Sequence, residues 1–169
     1  MAYIPLNADI LHKRRLKMRA VIQRVSSSQV VADGVLTGRI GKGLTILFGV
    51  KKGDSERDAE LLALKISKLR IFSDENDKMN LSVKDVCGSA LVVSNFTLYA
   101  NYAHGNRPDY FTSEEPERAN ELYEYFVSCL KKEIPDVQCG VFGAYMQLDI
   151  RNDGPVTIVM DSEVLQNKG

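Results

Sequence analysis

Tryptophan is absent from this chain, histidine occurs twice and cysteine three times. With His12 close to the amino terminus, His104 is the only imidazole available to the body of the protein. A Ser-His-Asp triad has nothing else to rest on, and a histidine-rich zinc site is excluded. Cys87, Cys129 and Cys139 form no Cys-x-x-Cys pair, and their odd number argues against a closed disulfide framework. That usage fits a reducing, cytoplasmic setting, with chemistry done without a metal or other cofactor. No apolar run approaches the roughly 20 residues of a membrane helix, so no membrane partner is expected. Net charge is missing too. Lys plus Arg and Asp plus Glu number 22 each, so no global positive field exists to grip long nucleic acid. Residues 1–17 hold Lys13, Arg14, Arg15 and Lys17 against Asp9 alone, leaving 18 basic and 21 acidic residues in the rest.

What is present is the composition of one globular domain: 169 residues, 44% hydrophobic and 26% charged. Residues 1–17 read as a disordered extension, and residues 18–169 as the domain. From Met18 the pattern is mostly strand. Residues 18–33 are rich in Val, Ile, Ser and Gln and end on Asp33-Gly34, a two-residue hairpin signal. The continuous run Leu44 to Val50 suits a strand buried on both faces. Ser55 and Asp58 form a capping box for a helix over 55–70, with Leu62, Ile66 and Leu69 at helical spacing. A strand over 90–100 follows, then a loop over 101–111. Next comes a helix from a Ser113 cap to about 132, with Leu122, Phe126 and Leu130 on one face. Strands over 138–150 and 155–161 close the chain around a turn at Asn152 to Pro155. The order predicts an α+β fold: a curved, mostly antiparallel sheet backed by two helices in a single domain.

Three places offer chemistry, each beside a plainer alternative. Gly38-Arg39-Ile40-Gly41-Lys42-Gly43 lacks the spacing and following helix of a phosphate loop, and reads as a hairpin return. Ser94-Asn95-Phe96-Thr97 interrupts a core strand with polar side chains. These are either ordinary buried hydroxyls with carbonyl partners or donors at the lip of a pocket, able to hold an oxyanion without a base. Asn152-Asp153-Gly154-Pro155-Val156-Thr157 is either a simple turn or a device. Gly-Pro offers a ligand little except two rigid carbonyl oxygens.

Together the two polar segments resemble the D-aminoacyl-tRNA deacylases, also called D-tyrosyl-tRNA deacylases. Ser94-Asn95-Phe96-Thr97-Leu98 is similar to that family's Ser-Gln-x-Thr-Leu motif. Asn152 to Thr157 matches its Asn-x-Gly-Pro-Val-Thr motif, and Met18 to Val25 looks like its first strand. The resemblance also takes in Gly105 to Pro108 and Phe142 to Ala144 with Met146, and covers nearly all of 18–161 in order.

The resemblance implies a β-barrel-like sheet with helices packed against it, in a homodimer that hydrolyses the ester of D-aminoacyl-tRNA, or of glycine on a non-cognate tRNA, taking in only the acceptor end. It implies that Gly154 and Pro155, joined by a cis bond, enter the partner subunit's pocket and exclude L side chains. Arg24 would hold that turn within the motif bounded by Asn152 and Thr157, and Met146 would be pocket wall or core filler. Catalysis would belong to Ser94, Asn95, Phe96 and Thr97. Thr97 is a weak candidate nucleophile, and the terminal ribose hydroxyl of the RNA would activate water beside the Phe96 main-chain N–H. Asn95 departs from the family's Gln by one methylene. The alternatives are a deacylase with a trans Gly-Pro and relaxed chirality, or a non-catalytic nucleic-acid-binding module.

Overall fold

The computed structural model describes residues 18–166. The predicted extension over 1–17 lies outside the described residues, as do the last three. A long strand, β1 (Arg19–Ala32), organises the sheet. Asp33 and Gly34 take φ of 47° and 83°, the mirror-image turn their sequence favours, and the chain returns as β2 (Val35–Ile40) and β3 (Gly43–Gly49). β3 pairs with residues 19–25 of β1, and β2 with residues 28–32. The two therefore lie end to end along one edge of β1.

Past β3 come α1 (Glu56–Ser67), a small hairpin of β4 (Phe72–Ser73) and β5 (Met79–Leu81), and then β6 (Ser89–Ser94). β6 is parallel to β3. A short 3-10 helix (Phe96–Tyr99), α2 (Pro116–Glu133) and β7 (Val137–Cys139) follow, with β7 parallel to β6. The chain ends in β8 (Met146–Asp161), antiparallel to β1 along its second edge, and α3 (Ser162–Gln166). Parallel neighbours need long crossovers, and the segments containing α1 and α2 supply them.

The apolar run in β3 is explained by two cores. Leu44, Ile46 and Phe48 face the helices with Ala90 and Val92, whereas Leu47 faces inward with Leu91 and Val93. The inner cluster of Val25, Val30, Ile40, Leu91 and Val93 fills the curl of the sheet. A Cβ built on Gly38 of β2 would stand 3.1 Å from the Cys139 carbonyl oxygen of β7, so the sheet is nearly closed there. On the helical side Phe126 stacks on Phe48 with centroids 4.1 Å apart.

The α+β, barrel-like reading stands, with five differences of detail. The strand expected over 90–100 stops at Ser94, because Asn95 caps the 3-10 helix. Helix α2 is capped at Glu115 with Pro116 in its first turn, not at Ser113, whose N–H donates to Tyr110 in a turn. The span expected as one strand over 138–150 breaks after Cys139, and Gly143 takes φ 77° in the connection. Residues 155–161 continue the same strand as Met146, and α3 adds a third helix that the sequence reading lacks. Ser55 does begin α1, its N–H donating to the Asp58 carboxylate at 2.9 Å.

Because Phe126 is fully buried between α2 and β3, Phe126→Ala should cost about 3–5 kcal/mol. Urea unfolding should show this as a lower midpoint at unchanged slope.

Candidate active site

A pocket of about 520 Å³ opens where β3 and β6 end. Phe48 and Gly49 form one side, Ser94, Asn95 and Phe96 the lip, and Pro116, Ala119 and Tyr123 of α2 another wall. Phe142, Ala144 and Met146 complete it. Three residues of the first motif, Ser94, Asn95 and Phe96, therefore stand at a cavity, while Thr97 is exposed beside them and is not part of the lining.

The Asn95 N–H donates to the Phe48 carbonyl at 2.7 Å, which continues the β3 to β6 pairing by one residue. Its side-chain oxygen accepts from the Thr97 N–H at 3.1 Å and from the Thr97 hydroxyl. Asn is among the best residues for this cap; the longer Gln is not. The departure from the family motif thus has a structural use here. Thr97 hands its proton to an amide, which is no base. With the Thr97 N–H taken, the Phe96 N–H remains as the donor at the first position of this helix. Ser94 is half-buried opposite Phe48. Met146 serves both pocket and inner core.

The second motif lies elsewhere. β1 and β8 pair Gln23 with Thr157 and Val25 with Asn152, so Asp153 to Val156 stand opposite Arg24 alone. The excess bulges outward and is tied down on both sides. Asn152 Nδ2 donates to the carbonyls of Arg24 and Val156, at 3.0 Å each. Arg24 Nε donates to the Asp153 carbonyl at 3.2 Å, and an Arg24 terminal nitrogen to the Ile71 carbonyl at 2.6 Å. Arg24 also pairs with the Asp153 carboxylate at 3.1 Å; its side chain is 11% exposed and that of Asp153 is 52% exposed. Thr157 accepts from Gln23 Nε2 at 3.2 Å. The Gly154–Pro155 peptide is cis. Gly154 has φ +119°, and a Cβ there would lie 2.6 Å from the Arg24 guanidinium, so the position requires glycine.

The two motifs do not meet within one chain. Arg24 stands opposite Leu44 and Leu44 opposite Ala90, which is four residues short of Ser94. At about 3.3 Å per residue and 4.8 Å per strand, the bulge lies roughly 13 Å along and 14 Å across the sheet from the pocket lip.

The wall residues missed in the sequence include Val50, Lys52, Tyr110, Phe111 and Ser113 to Pro116. Lys52 N–H donates to the Thr112 carbonyl at 3.0 Å and Gly53 N–H to the Glu114 carboxylate at 3.0 Å. Asp54 lies buried behind them, accepting from the Lys51 N–H at 2.6 Å on one oxygen, while its Oδ1 has no partner. Burial, with Asp58 and Glu114 nearby, outweighs the Lys51 N–H and pushes the carboxyl up to about 7. Burial likewise raises the Tyr99 and Tyr123 phenols, which donate to the Gly49 and Val92 carbonyls, and the Cys139 thiol. None of these signals is periodic, so hydrophobic pattern could not find them. Among the described residues no group of three His, Cys, Asp or Glu side chains is placed to hold a metal ion.

Comparison with known proteins sets this geometry in context. The fold is shared with a solved structure titled as a probable eukaryotic D-amino acid tRNA deacylase. The TM-score is 0.75 at 14% identity, over 86% of this chain and 100% of that one. A structure of a c-Myc DNA unwinding element binding protein superposes with TM-score 0.80 at 39% identity, over 85% of this chain and 97% of that one. The fold is therefore that of the tRNA deacylase class. The family model described as D-Tyr-tRNA(Tyr) deacylase matches residues 21–161, and the chain belongs to that family. The D-aminoacyl-tRNA deacylase of Persephonella marina is 57% identical over 88% of this chain and 100% of its own length. That of Aquifex aeolicus is 54% identical over 86% and 98%.

Asp54 holds its proton more tightly when folded, since its value rises from 3.8 to about 7. Its contribution to stability is full below about pH 4 and is lost as pH rises through 7. Asp54→Asn keeps an acceptor for Lys51 and should remove that decline. Its melting temperature, relative to the unsubstituted protein, should rise between about pH 4 and pH 7 and level off above that.

Proposed function

We propose that this protein hydrolyses the ester joining a D-amino acid, or glycine on a non-cognate tRNA, to the terminal adenosine of tRNA, as a homodimer in the cytoplasm. Family membership supports the reaction, and the names of the relatives support the substrate. One observation carries the mechanism: Phe96 at the pocket lip has a main-chain donor to offer, and the hydroxyl of the adjoining Thr97 is committed to the Asn95 amide. Such a site can position an ester and hold a developing oxyanion near the Phe96 N–H. It offers Thr97 no base, so the proton must be taken elsewhere, and the ribose hydroxyl next to the scissile ester supplies the nearest group able to activate water. Ser94 and Asn95 shape the lip around that position.

Chirality is judged by Gly154 and Pro155 of the opposite subunit. Their distance from the pocket of their own chain supports this, because the pocket has no such wall unless a second copy brings one. The bonds fixing the bulge fall on the Asp153 and Val156 carbonyls, either side of Gly-Pro, which suits a rigid wall. A wall that clashes with an L side chain discriminates without reading the D side chain, so many D-amino acids are accepted. Arg24, Asn152 and Thr157 position the wall, and Met146 lines the pocket.

A second reading, nucleic-acid binding without catalysis, draws on the name of the 39% identical c-Myc DNA unwinding element binding protein. The 18 basic and 21 acidic residues beyond residue 17 do not favour it.

The test is deacylation of D-Tyr-tRNA and L-Tyr-tRNA side by side. The D-ester should be lost and the L-ester retained. Loss of both would mean a relaxed gate, and binding with neither cleaved would support the second reading. Thr97→Ala removes a hydroxyl bound to Asn95 and leaves the Phe96 donor, so it should slow the D-reaction by less than the roughly hundredfold or more of a lost oxyanion donor. A loss of roughly a millionfold, as for a removed nucleophile, would contradict the mechanism.

A further inference from the structure

Phe111 is 80% exposed, yet it forms part of the pocket wall, so its ring stands on the rim. Phe96, 58% exposed, and Tyr110 line the same rim and pack edge to face, with centroids 4.9 Å apart. An exposed phenyl ring forgoes the gain that burial would bring, so this patch is unfinished in the isolated chain. Its backbone is fixed on every side. Phe111 N–H donates to Asp109 Oδ1 at 3.3 Å, Ser113 N–H to the Tyr110 carbonyl at 3.0 Å, and Thr112 accepts from Lys52. The loop before it is closed by reciprocal bonds between Asn101 and Asp109, at 2.8 and 2.9 Å. Lys52, the cation on this wall, is already paired with Glu115 at 3.1 Å. The rim therefore presents aromatic faces on a rigid frame and little unpaired positive charge.

We infer that Phe111, flanked by Phe96 and Tyr110, is a stacking platform for the unpaired nucleobase that precedes the terminal adenosine of the substrate RNA. The inference rests on the deacylase reading. An ester seated in the pocket through its adenosine continues into a single-stranded chain, and that chain leaves over the rim. Aromatic faces bind any base by stacking, which suits an enzyme serving tRNAs of many kinds. Recognition by stacking rather than by phosphate neutralisation also fits the pairing of Lys52 with Glu115.

The experiment compares Phe111→Ala and Phe111→Trp on two substrates, D-tyrosyl-tRNA and D-tyrosyl-adenosine, which carries the ester without the preceding nucleotides. For Phe111→Ala the loss of kcat/KM on the tRNA ester should exceed the loss on the adenosine ester by about tenfold, the scale of one stacked base. Phe111→Trp should recover most of that difference. Equal losses on the two substrates, or no loss on either, would overturn the platform. So would a change of oligomeric state in Phe111→Ala, because the ring would then be an interface between copies of the chain. If the unsubstituted protein cleaves neither substrate, the deacylase reading falls and takes this one with it, a result distinct from the others because the adenosine ester fails as well.

Discussion

Four residues of β8 face a single residue of β1, and that mismatch shapes the segment that carries the second motif. The ladder is regular on both sides, from Arg19 with Asp161 to Gln23 with Thr157, and again from Ser27 with Arg151 to Ala32 with Met146. Asp153 to Val156 therefore have nowhere to go but outward. Arg24 turns a loose bulge into a defined one, because its guanidinium binds carbonyls on two separate segments and the Asp153 carboxylate. The same guanidinium occupies the space a Cβ at residue 154 would need, so glycine there is a packing requirement as well as a conformational one.

The pocket depends on the same frame from the opposite end. Arg19, five residues before Arg24 on β1, donates to the Leu98 carbonyl at 2.9 Å and pairs with Asp161 at 2.8 Å. It also lies over the Tyr99 ring, 5.5 Å from its centroid. The 3-10 helix that carries Thr97 is thus anchored to β1, the strand against which the bulge forms. One ladder holds both motifs at a fixed separation, as the proposed two-copy site would require.

Much of this was legible in the sequence, for identifiable reasons. Asp33-Gly34 and Ser55 with Asp58 are local signals whose geometry needs no tertiary help, and both appear as read. The parallel direction of β6 and β7 was implicit in their helical crossovers, although periodicity alone does not give it. The strand expected to run to 100 was misleading because Phe96, Leu98 and Tyr99 prolong the apolar pattern, while the stop comes from a single side-chain oxygen on Asn95. The break expected at Gly154-Pro155 was a bulge, since the ladder resumes at Thr157. The aromatic rim and Asp54 belong to loops, where no repeating pattern announces burial or exposure.

The central claim is that one subunit's pocket is finished by the other subunit's Gly154 and Pro155. Subunit mixing tests it directly. Phe96→Pro removes the main-chain donor at a helix position that tolerates proline, and Gly154→Ala damages the wall. Phe96→Pro alone should be nearly inactive, whereas Gly154→Ala alone should cleave L-Tyr-tRNA as well as D-Tyr-tRNA. In an equal mixture, half of the intact pockets should receive an intact wall if the subunits exchange at random, so L-ester cleavage per Gly154→Ala chain should fall by about half while D-ester cleavage stays. L-ester cleavage unchanged by mixing would contradict the account, because pocket and wall would then belong to the same chain.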